Sequence, residues 1–446
     1  MESKFSTTRV LPINQIFHLK QGVISAMMID SKKYSGACAC GHDHSMDTNL
    51  AVIQAGCLNQ LDDYLQQFGL QGPRAAIYDE NTYHAQGLVR PRAEQEIILA
   101  PENLHANEIA VEKVLSQLRG DIAILIAVGS GTIHDITRYC AHDRGILFIS
   151  CPTAATVDGF CSTVSAMTWY GFKKTLPGVA PALVLADLNV ICKAPAYLAL
   201  SGVGDILGKY TALADWKISS AVSGEFFCPQ IESMTRKAVQ AVYQSARRLA
   251  DRNEEAYEEL TYGLLLSGLA MQLMGNSRPA SGAEHHISHL IEMEPDGLGV
   301  HSNALHGEKV GAATLLVARE YHHLAETEDI APHVHTYRFP DRYYLFPIFG
   351  ERLTDAVSEE NRDSCMKPVT PTALIEHWAE IRSIIAEIPA ADELQSLYRD
   401  VGMKSTLADL GVPQSALPKL MEYSPCVRNR MTLMRIRRMI DLPYCE

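Results

Sequence analysis

No stretch of this sequence is apolar for long. The longest runs, such as 122–128, are strand-sized and far short of the roughly 20 residues that a membrane helix needs. Positive charge is also scarce: 39 Lys and Arg stand against 52 Asp and Glu, a formal net charge of −13. That balance argues against general nucleic-acid binding and against insertion into or attraction to an anionic membrane. An anionic small substrate would have to meet locally placed cations. A disulfide framework is missing too. The 11 cysteines are odd in number and scattered, which fits a reducing compartment. Residues 1–22 are mixed polar and lack the apolar core of a secretory signal, so a cytoplasmic location is expected. Internal repeats and low-complexity tracts are absent.

What is present is an ordinary globular composition, 47% hydrophobic and 20% charged over 446 residues, too long for one core. The first 70 residues read as irregular, with a helical pattern over 51–68. Strand patterns at 75–79, 96–100, 121–128 and 145–150 alternate with helical ones at 107–118 and 133–141, which implies parallel βαβ units. Near residue 195 the texture turns helical, with helices expected over 254–274, 373–388 and 428–440. The expectation is an α/β nucleotide-binding domain with a parallel sheet over 1–195 and an all-α domain over 196–446. The Pro-, Tyr- and Phe-rich stretch 331–371 reads as a loop-bearing insertion.

A Gly-rich turn, Gly129-Ser130-Gly131-Thr132, sits between an apolar strand and a helix. That geometry presents free backbone N–H groups to a phosphate. It is an incomplete dinucleotide fingerprint, since His134 stands where a third glycine belongs, and a purely structural turn is the alternative. Asp79, just past an earlier strand, suits either a ribose contact or a turn. The loop Pro152-Thr153-Ala154-Ala155-Thr156-Val157-Asp158-Gly159-Phe160-Cys161-Ser162 offers small residues and hydroxyls at a strand end, or simply an Asp-Gly turn.

Three distant residues combine as a metal site with an open position: Asp205, His285 and His306. One carboxylate and two imidazoles leave room for a substrate oxygen on a divalent ion. Asp205 alone would read as a helix cap. His285 and His289 are four apart and share a helix face, so they form a competing pair. Lys209, four after Asp205, is either its salt-bridge partner or a contact for an anionic substrate. Arg278, Lys173 and Lys174 are further candidates for a phosphate, with a solvated surface as the other reading of each lysine. Cys38-Ala39-Cys40-Gly41-His42-Asp43-His44 is dense in possible ligands. It has no second ligand pair downstream, so it is expected to be a loop with incidental thiols.

Side by side, these motifs resemble those of sn-glycerol-1-phosphate dehydrogenases of the AraM-like branch. That branch lies in the superfamily of iron-containing alcohol dehydrogenases, glycerol dehydrogenases and dehydroquinate synthases. The likeness is carried by Gly129 to Asp135, by Pro152 to Gly159, by Gly204-Asp205-Ile206-Leu207-Gly208-Lys209 with Ala214-Asp215-Trp216-Lys217, by Ser277 to His285 and by Leu305 to Gly311. Cys38-x-Cys40-Gly41 and Val427 to Leu433 add to it. The resemblance implies a site in the cleft between the two domains. Asp205, His285 and His306 would bind zinc, nickel or iron. Asp158, His289 and Asp205 would touch the substrate, with Asp205 and His289 catalytic. Asp79, Gly129, Gly131, Thr132, Ile133, His134, Asp135, Thr153, Ala154, Ala155, Thr156 and Ser162 would contact NAD or NADP. A carboxylate at Asp79 favours NAD, because it would repel a 2′-phosphate. The implied reaction interconverts dihydroxyacetone phosphate and sn-glycerol 1-phosphate, with Lys209 and Arg278 on the phosphate. A homodimer is also implied. Rival readings are a glycerol dehydrogenase, a dehydroquinate-synthase-like lyase using NAD transiently, and a non-catalytic nucleotide-binding regulator.

Overall fold

The computed structural model describes residues 27–30 and 33–445. The stretch read above as lacking a secretory signal lies outside them. Eleven strands follow in chain order: β1 (Met27–Asp30), β2 (Gly36–Ala37), β3 (Asp43–His44), β4 (Leu50–Ile53), β5 (Arg74–Asp79), β6 (Gln95–Leu99), β7 (Ile124–Gly129), β8 (Leu147–Pro152), β9 (Val164–Trp169), β10 (Phe172–Pro177) and β11 (Leu183–Ala186). Seven of them form one sheet in the order β1-β4-β11-β8-β7-β5-β6. All pairs in it are parallel except β1 with β4. β4, β7 and β11 are buried along their whole length. This is why they read as continuous apolar runs rather than alternating ones: each face of the sheet is covered by its own core.

The strand order creates a crevice. From β5 the chain runs outward to β6, then returns to β7 on the other side of β5. Open parallel sheets bind ligands beyond the carboxyl ends of strands at such a switch point. Ile77 pairs with Ala127, so Asp79 and Gly129 each lie two residues further along neighbouring strands. Gly129 is opposite Pro152, and Thr153 N–H donates to the Gly129 carbonyl at 3.1 Å. The Gly-rich turn, Asp79 and the Thr153 loop therefore share one end of the sheet.

One site helix lies between β7 and β8, and after β11 the described chain is helical. Seven helices matter for the site: α1 (Gly131–Arg144), α2 (Ala196–Leu207), α3 (Lys209–Ser223), α4 (Pro229–Ser245), α5 (Glu254–Met274), α6 (Ala283–Met293) and α7 (His306–Ala325). α2 and α7 meet through glycines. A Cβ on Gly204 would stand 2.1 Å from the Gly307 carbonyl oxygen, and one on Gly307 would stand 1.9 Å from that of Ser201. Only hydrogen fits at either position, so the two backbones touch.

Four sequence expectations change. Residues 50–53 are strand β4, not the start of a helix; a fully buried strand and a buried helical turn give the same apolar signal over four residues. The insertion at 331–371 carries a helix, Arg342–Glu360, broken in backbone at Gly350, three residues after Pro347. The helix expected over 373–388 divides into Pro371–Glu376 and Trp378–Ile385. The basic C-terminal stretch forms only a short helix, Leu433–Ile436, and a 3-10 turn. Its arginines are drawn into buried bonds instead: Arg437 to Glu320, and Arg435 to Asn361 and the Arg428 carbonyl.

Candidate metal and nucleotide site

Asp205 lies in the last turn of α2 and is almost wholly buried (1% exposed). Its Oδ2 accepts the Asp158 N–H at 3.0 Å. Its Oδ1 accepts from Lys209 Nζ at 2.8 Å and stands 3.6 Å from His285 Nε2. Burial alone would raise the Asp205 pKa. Lys209 and His285 outweigh it and hold the carboxyl well below its ordinary range.

His285 is on the first turn of α6, and two carboxylates set that turn. Asp215 Oδ2 accepts the Ala283 N–H at 2.8 Å, and Glu284 Oε1 accepts the Gly282 N–H at 2.7 Å. Glu284 Oε1 also accepts from His285 Nδ1 at 2.7 Å. The proton is thereby fixed on Nδ1, and Nε2 faces Asp205. His306 opens α7, and its Nδ1 donates to Glu292 Oε1 at 2.8 Å. Both histidines thus carry the carboxylate partner on one nitrogen that metal-binding imidazoles use to fix their tautomer. Ligand atoms of Asp205, His285 and His306 lie within 4.8 Å of one another. An O,N,N donor set of this kind fits a divalent transition metal. Burial presses His285 toward neutrality, but Asp205 and Glu284 outweigh it and raise its pKa, so the pocket favours positive charge.

His289 stacks on His306 with ring centroids 5.8 Å apart and is 6.0 Å from His285. His289, Glu292 and His306 form a second group of the same compactness. No such group contains both His285 and His289 among the described residues. Burial drives His289 well below its ordinary pKa, so it stands as a neutral imidazole.

Glu284 and Glu292 were assigned no role from the sequence, although each is close to a histidine in the chain. Arg352, in the insertion that carried no assignment, donates to the Met293 and Glu294 carbonyls at 3.0 and 3.1 Å. It caps the far end of α6.

The cations expected on a phosphate are differently placed. Lys209 is fully buried and pairs with Asp158 at 2.9 Å and Asp205 at 2.8 Å. Burial opposes its charge, yet the two carboxylates outweigh it and raise its pKa. Arg278 donates to Glu225 and to the Asp215 and Met431 carbonyls. Lys173, by contrast, is 3.4 Å from Glu292, and the charges of Lys309 and Arg428 act on the same carboxylate. Arg428 also acts on His289. The charges of three cations thus act together on Glu292, the partner of His306.

At the sheet end, Gly129 sits so close to Ile133 that a Cβ there would be 2.8 Å from the Ile133 Cβ. The first helical N–H bond of α1 runs from His134 to the Ser130 carbonyl. Earlier N–H groups, at Gly131, Thr132 and Ile133, precede it and are the unpaired donors of a helix start. Ile133 and His134 are buried side chains. His134 packs edge-on against Phe160 and donates Nδ1–H to the Ser130 carbonyl. These two offer a cofactor only backbone. Asp135 is bound to Arg138 at 2.7 Å. Asp79 caps the short helix Glu80–Tyr83 by accepting from Thr82 N–H at 2.8 Å. The Ser162 hydroxyl is engaged with Val164, while that of Thr156 is buried without a partner. Ala154 and Ala155 are buried against α2, where a Cβ on Gly202 would meet the Ala155 carbonyl oxygen.

A parallel sheet with a switch point of this kind, beside helices that gather one aspartate and two histidines, has the fold of iron-containing alcohol dehydrogenases. The family model described as "Iron-containing alcohol dehydrogenase" matches residues 52–195. Among solved structures the chain is similar to an iron-containing alcohol dehydrogenase from Corynebacterium glutamicum, with a TM-score of 0.58 and 14% identity over 91% of this chain and 98% of that one. A probable glycerol dehydrogenase from Sinorhizobium meliloti gives a TM-score of 0.56 and 19% identity over 86% and 93%. These likenesses show the fold. Sequence relatives go further. The chain is 32% identical to a glycerol-1-phosphate dehydrogenase [NAD(P)+] of Bacillus licheniformis, over 91% of this chain and 92% of the relative. It is 33% identical to one of Pyrococcus horikoshii over 60% and 77%. The chain belongs to the glycerol-1-phosphate dehydrogenase family.

Proposed function

We propose that the protein is a metal-dependent NAD(P)H oxidoreductase that interconverts dihydroxyacetone phosphate and sn-glycerol 1-phosphate. The observation that carries this reading is the paired arrangement of His285 with Glu284 and His306 with Glu292 around buried Asp205. When bound, NAD(P) supplies the hydride, and a divalent metal held by Asp205, His285 and His306 supplies a Lewis acid beside the substrate oxygens. Zinc and nickel suit the donor set, and iron(II) does as well.

This chain's residues do the rest. The N–H groups at the start of α1 hold the pyrophosphate, with Gly129 and Gly131 leaving room for it and Thr153, Ala154, Ala155 and Thr156 along its flank. Asp79 takes the ribose and disfavours a 2′-phosphate. Lys209 keeps Asp205 ionised and ties Asp158 in place beside it, and Asp158 meets the substrate hydroxyl side. His289, neutral and adjacent to His306, orients the substrate and passes a proton at its imidazole nitrogen. Lys309 and Arg428 take the phosphate in place of Lys209 and Arg278, whose bonds are already committed to carboxylates and carbonyls; Lys173, paired with Glu292 at 3.4 Å, adds its charge nearby. A cytoplasmic homodimer completes the reading.

The test is substrate discrimination in Lys309→Ala and Arg428→Ala. Each removes a charge-assisted contact of about 1.5–3 kcal/mol. kcat/KM for dihydroxyacetone phosphate should fall about ten- to a hundredfold, with little change for unphosphorylated dihydroxyacetone. Equal losses on both substrates would contradict the phosphate assignment.

A further inference from the structure

Cys38, Cys40 and His44, close together in the sequence, meet the distant Cys228, and the four ligand atoms lie within 4.8 Å of one another. Strands β2 and β3 pair Gly36 with His44 and Ala37 with Asp43, and Cys38 N–H donates to the His42 carbonyl. This narrow hairpin turns Cys38, Cys40 and His44 to one side. The missing fourth donor is Cys228, the residue that precedes helix α4. Thiolates gain stability at a helix N-terminus.

The distances match one ion. A zinc centre with sulfur at about 2.3 Å and nitrogen at about 2.0 Å, in tetrahedral array, sets sulfurs about 3.8 Å apart and sulfur and nitrogen about 3.5 Å apart. Here Cys38 Sγ and Cys228 Sγ are 3.7 Å apart. His44 Nε2 is 3.3 Å from Cys40 Sγ and 3.4 Å from Cys228 Sγ. His44 Nδ1 donates to the Leu273 carbonyl at 3.0 Å, which leaves Nε2 free to bind and supplies the backing bond usual for a ligating imidazole. His42 is not a donor; it packs against Phe226.

We infer that Cys38, Cys40, His44 and Cys228 form a structural zinc site, separate from the catalytic metal. Three thiolates and one imidazole fill four-coordinate zinc, so no position is left for substrate. The soft set selects zinc over the harder ions that suit an aspartate-containing centre. On binding, the three thiols release their protons to solvent. The site ties the 36–44 hairpin to the start of α4 and, through Leu273, to the end of α5. Gln272 extends the same tie, accepting from Asp47 N–H and donating to Thr48, immediately before strand β4. The segment that sequence reading took for a loop with incidental thiols becomes a staple between the sheet and the helices. Sequence spacing could not show this, because the fourth ligand follows His44 by 184 residues.

The test uses full-length protein purified anaerobically with zinc present. The His306→Ala variant removes a proposed catalytic ligand, so zinc that remains reports this site. One zinc per chain should persist, and its X-ray absorption should show sulfur as the majority scatterer. Adding Cys40→Ser, at a half-buried position, should release that zinc and lower the melting temperature. Cys228→Ser should do the same. The inference is overturned if His306→Ala retains no zinc, if its zinc shows only nitrogen and oxygen scatterers, or if the intact mass shows a Cys38–Cys228 disulfide in place of metal. Failure of the substrate test above leaves this outcome unaffected.

Discussion

Glu292 illustrates how a residue two positions removed from the chemistry governs it. Its Oε1 accepts from His306 Nδ1, and Lys173 holds the other side. Under the proposed function, Glu292→Gln keeps the size but loses the charge that strengthens His306 as a ligand. Metal affinity should fall about 10–100-fold, the usual cost of losing such a partner, as read by metal-binding titration. An unchanged affinity would mean that His306 is not a ligand. His289→Ala separates the two histidine groups. If Asp205, His285 and His306 hold the metal, the variant retains it and KM rises; loss of metal would favour the group of His289, Glu292 and His306. His134 supports a different prediction. Burial depresses its pKa to about 3, so the folded state refuses a proton that the unfolded chain takes below about pH 6.5. The stability tied to its neutral form is complete above that pH and is lost as pH falls. Between about pH 7.5 and about pH 5 this amounts to about 2 kcal/mol. His134→Asn keeps an N–H toward Ser130 but cannot titrate. Its unfolding free energy, followed in urea at both pH values, should vary less by that amount.

Among elements, the α2–α7 contact matters most, because it brings Asp205 and His306 into one site. Gly307→Ala would force a methyl group against the Ser201 carbonyl. Overpacking of this kind costs about 1–3 kcal/mol. The helices must part, so calorimetry should show a lower melting temperature, and metal binding should weaken in parallel. Normal metal affinity with a lowered melting temperature would show that the crossing does not set the site. The sequence made much of this readable. Long or strongly patterned elements such as α5 and β7, and the sheet's parallel character, followed from periodicity. Asp205, His285 and His306 could be singled out by chemistry, and they do converge. Two kinds of feature stayed hidden. Short elements such as β4 carry too few residues to declare a period. Partnerships across the chain, such as Lys209 with Asp158 and Arg278 with Glu225, decide whether a cation is free, and spacing along the chain does not reveal them.

At the scale of the whole molecule, the sheet supplies a switch-point crevice and the helices bring Asp205, His285 and His306 together. The acidic chain, at a net charge of −13, still directs the charges of Lys173, Lys309 and Arg428 at Glu292, the partner of His306. A general acidic field would repel a sugar phosphate, and under the proposed function these local cations offset it. None of the described helices is long and apolar enough to cross a membrane. The most direct measurement is NADH oxidation by purified, metal-loaded protein, with dihydroxyacetone phosphate and dihydroxyacetone compared at equal concentration. The account predicts rapid oxidation with the phosphate ester, much slower oxidation with the free ketone, and glycerol 1-phosphate as the product. Turnover of dihydroxyacetone without turnover of its phosphate would contradict it and point to a glycerol dehydrogenase.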